Sequence, residues 1–116
     1  VTAESPIFVP GDVVYGVDPY KRGESGRPWL IIENHEGRPF HGEQYIALSL
    51  TTRTWMDGLV NIDDDDWIRG GTPDESRIIP WGVQSFASED IDFWQGRLTE
   101  QRLTDALEAL IAYFQP

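Results

Sequence analysis

Short runs of strand-forming residues separated by Gly- and Pro-rich loops, and one amphipathic helix at the C-terminal end, predict a mainly β fold. The expected architecture is a small closed or half-closed barrel of about five strands, covered by the helix. The chain has 116 residues, enough for one domain and too few for two ordinary ones. Its five Trp, five Phe and four Tyr supply the large apolar surfaces that a core of this size needs.

Residues 1–10 read as a flexible N-terminal arm ended by the turn pair Pro10-Gly11, leaving 11–116 as the single domain. Asp12 to Val17 is β-branched and aromatic, the first strand. After a turn-rich loop from Asp18 to Gly26, Trp29-Leu30-Ile31-Ile32 is a continuous apolar run, which suits a strand buried on both faces. Breakers Gly37, Pro39 and Gly42 mark the next loop, and Tyr45 to Leu50 resumes strand character. Leu59 to Ile62 is a shorter strand, followed by an acidic turn at Asp63–Asp66 and a loop from Gly70 to Asp74. Arg77 to Val83 is the last substantial strand, and Pro80 within it implies an edge position or a bulge. Thr99 is placed to cap the terminal helix, with Leu98 stapled onto Leu103. Leu103, Ala106, Leu107, Leu110, Ile111 and Phe114 then recur at helical spacing along one face.

Cysteine is absent, which excludes disulfides, thiolate metal sites and cysteine nucleophiles. No apolar run is long enough to span a bilayer, and Val1–Ser5 has no signal-peptide pattern, so a cytoplasmic location is expected. Twenty acids against nine bases give a net charge of −11, and Lys21 is the only lysine. Such a surface repels phosphate backbones in dilute salt. Two explanations fit: a basic partner, or adaptation to molar salt, where the Debye length is about 3 Å and the repulsion is screened. Acid excess with almost no lysine resembles haloarchaeal cytoplasmic proteins, and the halophilic reading leaves an RNA substrate open.

Motifs for phosphate-loop, dinucleotide and zinc binding are missing. His35 and His41 share a loop, but no further ligands accompany them at metal-binding spacing. Asp63–Asp66 lacks the alternating ligands and the glycine of a calcium loop, which favours a solvated acidic turn. Arg27 stands apart. It lies between Gly26 and Pro28 at the entry to the most apolar strand, where a fixed guanidinium can brace a phosphate bidentately. From the residues alone, a structural arginine paired with a local acid such as Glu24 is the leading account.

The segments Gly11-Asp12-Val13-Val14-Tyr15 and Gly23-Glu24-Ser25-Gly26-Arg27-Pro28-Trp29-Leu30-Ile31-Ile32-Glu33-Asn34 together resemble the opening of MazF/PemK-type toxins. Ile46 to Thr51 is similar to that family's third strand, Ser76 to Ser85 to its late strand, and the terminal helix has the family's position. The resemblance implies an SH3-like small barrel (MazF/CcdB-like) with a C-terminal amphipathic helix, usually dimeric. It also implies a type II toxin whose activity is metal-independent cleavage of single-stranded RNA, leaving a cyclic phosphate and a 5′-hydroxyl, without a cofactor. The cognate antitoxin would lay a disordered tail in the RNA groove, anchored by apolar contacts near Trp29 and Trp81. Residue by residue, Arg27 matches the family's catalytic arginine and Thr51 the hydroxyl residue that contacts the scissile phosphate, with Thr52 its neighbour in register. Gly23 and Glu24 match the loop before Arg-Pro.

The late strand departs from the pattern. Trp81 stands where the family has a carboxylate, and Gln84 where it has an arginine. Tryptophan cannot act as a general base but can stack an unpaired base, and Gln84 retains hydrogen-bonding capacity. His35 or His41 could supply the base if their loop folds back. The alternative is a non-catalytic barrel of the same kind that engages a protein partner or nucleic acid, with a gyrase-poisoning relative or an unrelated housekeeping barrel as further readings.

Overall fold

The computed structural model describes residues 6–19 and 25–115. Strand β1 spans Asp12–Val17, β2 Gly26–Glu33, β3 Gln44–Thr51, β4 Val60–Asn61, β5 Trp67–Gly70, β6 Arg77–Ala87 and β7 Ile91–Leu98, and helix α1 spans Glu100–Ala112. All seven strands form one antiparallel sheet in the order β4-β6-β3-β2-β1-β7-β5. The two edge strands, β4 and β5, are neighbours in sequence, joined by a short 3-10 turn at Asp64–Asp66. Six steps of chain reach at most about 20 Å, so the sheet must curl until its edges nearly meet. The result is a half-barrel.

The period of two along the strands sorts the apolar residues onto the two faces. Val13, Leu30, Leu48, Leu50, Ile62, Ile78 and Leu98 form one core, closed by Ala106 of α1 and flanked by Leu103 and Leu110. Val14, Trp29, Ile31, Tyr45, Ala47 and Phe86 form the other, covered by Phe8 and Ile91. Trp29, Leu30 and Ile31 are all fully buried, as the continuous apolar run predicts for a strand covered on both sides. Trp29 packs edge-on against Phe86 and donates its indole N–H to the Val17 carbonyl at 3.2 Å. It is therefore a core residue and cannot anchor an antitoxin tail.

Several sequence expectations change. Residues 1–5 of the expected arm lie outside the described residues, while the remainder is pinned. The Phe8 amide donates to the Tyr45 hydroxyl at 3.1 Å, and the Asn34 side chain donates to the Phe8 carbonyl at 3.0 Å. Strands β5 and β7 were not visible in the sequence. β7 exposes much of its length, including Asp92, Phe93 and Trp94, so it lacks the apolar alternation that marks a half-buried strand. β6 is longer than expected and is followed by β7, so it is not the last strand. Pro80 does sit at a bulge: Leu48 pairs with Val83 and Leu50 with Ile78, leaving Ile79–Gly82 opposite Ser49 alone. β4 reaches only Arg77 and Ile78, so no ladder partner needs an N–H from Pro80.

Helix α1 begins as the sequence predicts. The Thr99 hydroxyl accepts the Arg102 amide at 3.3 Å, and Leu98 and Leu103 share the core beneath it. The far end differs, because Ile111 is half exposed and Phe114 lies beyond the helix, 78% exposed. The acidic turn is more than a solvated surface. The Asp66 carbonyl accepts the Thr99 amide at 2.8 Å, and its carboxylate pairs with Arg102 at 3.1 Å, tying the turn to the start of α1. Partial burial works against the Asp66 charge, but the Asp63 amide and Arg102 outweigh it and hold the carboxyl below the usual carboxylate range. A depressed folded-state pKa contributes stability that is complete above the unfolded value, about 3.9, and disappears as pH falls through the folded one. Asp66→Asn is thus expected to lower stability at neutral pH and to narrow its difference from wild type below pH about 4, read by thermal melts across pH.

Candidate functional site

The ladder between β2 and β3 pairs Trp29 with Ser49. Continuing it by two residues sets Arg27 across from Thr51, on the same face, where both strands leave the core. β1 contributes its end to the same corner through Asp18. An open cleft of about 510 Å³ results, lined by Asp18, Gly26, Arg27, Pro28, Leu50, Thr51, Thr52, Arg53, Met56, Ser76 and Ile79.

Arg27 is held rather than free to swing. Its Nε lies 3.8 Å from the Asp18 carboxylate, with Arg27 25% and Asp18 2% exposed. At that distance the contact is an ion pair without a hydrogen bond, and the buried Arg27 Nε–H finds no acceptor among the described residues. Among the described residues, the acid beside Arg27 is Asp18. Glu24, the partner suggested by sequence proximity, lies with Gly23 outside the described residues. Gly26 explains the tight approach of β1 and β2. A Cβ on Gly26 would sit 2.6 Å from the Gly16 carbonyl oxygen and 2.7 Å from the Tyr15 ring. Gly26→Ala is expected to push β2 away from β1, costing about 1–3 kcal/mol, and to misplace Arg27, with a lowered Tm and lost activity as the checks.

Thr51 is buried, and its hydroxyl accepts the Arg53 amide at 3.1 Å, which fixes the turn that leaves β3. Thr52 and Arg53 are exposed on that turn, and the Arg53 guanidinium lies 5.8 Å from the centre of the Trp55 ring. The cleft thus holds two guanidinium groups and one carboxylate, with hydroxyls from Thr51, Thr52 and Ser76 around them. Such a lining suits an anionic ligand carrying several acceptor oxygens. Arg53 and Asp18 escaped sequence reasoning because each belongs to a turn whose direction depends on the sheet. Their nearness to Thr51 and Arg27 in the chain was the available signal.

The other expected site residues lie elsewhere. Gln84 pairs with Ala47 on the Arg27 face of the sheet, but it lines a smaller depression with Val17 and Pro19, and its side-chain amide donates to the Ser85 carbonyl at 3.2 Å. Trp81, 43% exposed, packs edge-on against Tyr113 with ring centres 6.0 Å apart, outside the cleft. The histidines cannot supply a base here. β2 runs eight residues from Gly26 to Glu33, and at about 3.3 Å per residue this puts their loop roughly 25 Å from Arg27. His35 packs edge-on against Phe40 instead, at 4.6 Å. Among the described residues, no group of three or more His, Cys, Asp or Glu side chains is arranged to hold a metal ion, and no helix is long and apolar enough to cross a membrane.

Comparison with solved structures identifies the architecture. The chain is similar to an endoribonuclease in complex with its cognate antitoxin from a mycobacterial species, with 19% identity, a TM-score of 0.71 and 95% of each chain covered. It is likewise similar to MazF from Deinococcus radiodurans, with 12% identity, a TM-score of 0.72, and 97% of this chain and 100% of that one covered. The fold is that of the MazF toxins. The Mycobacterium tuberculosis toxin MazF-mt6 also matches, with 20% identity, a TM-score of 0.64, and 90% and 95% of the two chains covered. No protein-family model and no curated protein matches the sequence. The structural likeness to the MazF fold covers nearly the whole chain, including β5 and β7, which the sequence resemblance did not name. Chain order, half-barrel and terminal helix all agree with the expected architecture.

Proposed function

We propose that this protein is the toxin of a type II toxin–antitoxin pair and that it cleaves single-stranded RNA endonucleolytically. The observation that carries the reading is the meeting of Arg27 and Thr51 in one open cleft of a MazF fold. In this reaction the 2′-oxygen attacks phosphorus, the bond to the 5′-oxygen breaks, and a 2′,3′-cyclic phosphate and a 5′-hydroxyl result. The 2′-hydroxyl loses a proton and the 5′-oxygen gains one, both exchanged with solvent in the open cleft. Arg27 faces the negative charge that grows on the non-bridging oxygens, where a prepositioned donor acts most strongly. Thr51 orients the phosphate, Thr52 lies beside it, and Asp18 restricts the guanidinium to one position. Gly23 and Glu24 belong to the segment that leads into Arg27 and would border the bound strand. Gln84, two rungs along the same face, would contact a flanking nucleotide, and Trp81 would meet one further from the scissile bond.

The two solved complexes of similar chains, the mycobacterial endoribonuclease with its antitoxin and the MazE–MazF pair from Deinococcus radiodurans, support a cognate antitoxin as the partner. The reading includes a homodimer, a cytoplasmic location and a working medium of high salt that screens the −11 charge from RNA. A binding-only role is the second reading. It is favoured by the absence of a β6 carboxylate from the cleft, since Trp81 packs on Tyr113. The test is incubation of purified protein with single-stranded RNAs of varied sequence in molar potassium chloride and a chelator. Cleavage supports the nuclease, and binding without cleavage supports the second reading.

A further inference from the structure

We propose that Arg53 and Trp55 form a second grip on single-stranded RNA beside Arg27, Arg53 holding the phosphate next to the scissile one and Trp55 stacking an unpaired base. The inference rests on the RNA reading of the cleft and adds to it the residues that hold the strand in register.

Three observations meet at this turn. Arg53 lines the cleft that contains Arg27 and Thr51, yet it belongs to the exposed turn after β3. Among the described residues, its guanidinium forms no ion pair with a carboxylate, in a chain where acids outnumber bases twenty to nine. Its neighbour instead is the Trp55 ring, 5.8 Å away, and that indole is 72% exposed. An indole left so open beside a polar cleft gains little from the core of its own protein. A cation paired with an open aromatic face is the combination that holds an unpaired nucleotide, because the phosphate takes the charge and every base offers a π-face. With a net charge of −11 on the chain, an anionic strand is drawn to places where an arginine stands apart from carboxylates.

The turn is also held in place. The Thr51 hydroxyl accepts the Arg53 amide at 3.1 Å, so the residue facing the scissile phosphate and the residue offered to its neighbour are fixed by one hydrogen bond. A strand lying across Arg27 and Thr51 would reach Arg53 next and Trp55 after it. The class of ligand follows: a flexible single strand with bases turned out. A duplex is excluded because its stacked bases cannot reach the indole.

The test uses a fluorescein-labelled RNA with 2′-O-methyl riboses, which cannot be cleaved, titrated by anisotropy against wild type, Arg53→Ala, Trp55→Ala and Trp55→Phe across a salt series. Both side chains are exposed, and melting curves check that the variants fold. Trp55→Ala is expected to weaken binding roughly 10- to 100-fold, with much of it restored in Trp55→Phe. Arg53→Ala is expected to reduce the slope of log affinity against log salt by about 0.7, a change that loss of stacking alone would not cause. Unmodified RNA is digested in parallel. If the wild type cleaves while the variants bind and cleave as it does, the grip is refuted and the nuclease reading stands. If the variants lose binding but the wild type cleaves nothing, the grip stands and the nuclease reading fails. If the wild type binds no RNA at any salt, both fall.

Discussion

Replacing Arg27 with lysine is expected to reduce RNA cleavage by about 10²- to 10³-fold, the usual cost of losing a prepositioned donor at a developing oxyanion. Lysine keeps the positive charge next to Asp18 but presents a point charge in place of a planar fork, so it cannot brace two phosphate oxygens at once. The fold is expected to survive, because the charge pair with Asp18 persists in some form. Arg27→Ala removes it. The Asp18 carboxylate, 2% exposed, then loses its neighbouring guanidinium, and the variant is expected to melt earlier as well as to lose activity. Cleavage rates and melting curves on the same preparations separate the two effects. The lysine variant is the cleaner probe of chemistry, since only its rate should fall.

Asp12→Ala is expected to give the largest loss of stability among single polar substitutions. The Asp12 carboxylate is buried at the start of β1 and accepts three donors. These are the Val9 amide at 2.8 Å, the Trp94 indole at 3.1 Å and the Arg97 guanidinium at 2.9 Å. One group thereby ties β7, more than eighty residues away in sequence, to β1 and to the segment just before it. Hydrogen bonds to a charged group contribute about 1.5–3 kcal/mol each at best. Arg97 is 40% exposed, so its share is discounted for solvent screening. With the two remaining bonds near the lower end of that range and the discounted pair adding little, a net cost of about 3–4 kcal/mol follows. Chemical denaturation should record this as a lower midpoint with an unchanged slope. A loss under about 1 kcal/mol would mean that β7 is held by its ladder with β1 alone.

Much of the architecture was legible because burial and periodicity agree in these strands. The continuous run at Trp29–Ile32 suits a strand covered on both sides, and the capped, stapled start of α1 suits a helix packed on a sheet. β5 and β7 were illegible for the converse reason. They are held largely by backbone pairing to β7 and β1 respectively, and apart from Leu98, Ile91 and Trp67 their apolar side chains are exposed, so no regular apolar pattern records them. At the end of α1, Ile111 and Phe114 continue the helical spacing past the point where the sheet offers a surface, so their spacing overstates the buried face.

The site divides in the same way. Arg27 was conspicuous through Gly26 and Pro28, and the ladder of β2 with β3 brings Thr51 opposite it, a pairing that sequence suggests only through resemblance. Asp18, Arg53 and Trp55 depend on how turns leave the strands, which no periodicity encodes. The histidine loop was drawn toward the site by chemistry and is kept from it by the length of β2. Trp81 occupies its own position for a structural reason: the bulge at Ile79–Gly82 and the end of α1 give its ring Tyr113 as a partner.

The central claim is that Arg27 and Thr51 together direct the 2′-hydroxyl of a single strand onto its neighbouring phosphate. Mapping both ends of the products at nucleotide resolution, for wild type and Arg27→Ala in molar potassium chloride with chelator, tests it most directly. The account predicts discrete cuts by the wild type that leave a 2′,3′-cyclic phosphate and a 5′-hydroxyl, and none by the variant. Products ending in a 3′-hydroxyl and a 5′-phosphate, or an unchanged pattern of cuts in Arg27→Ala, would contradict it.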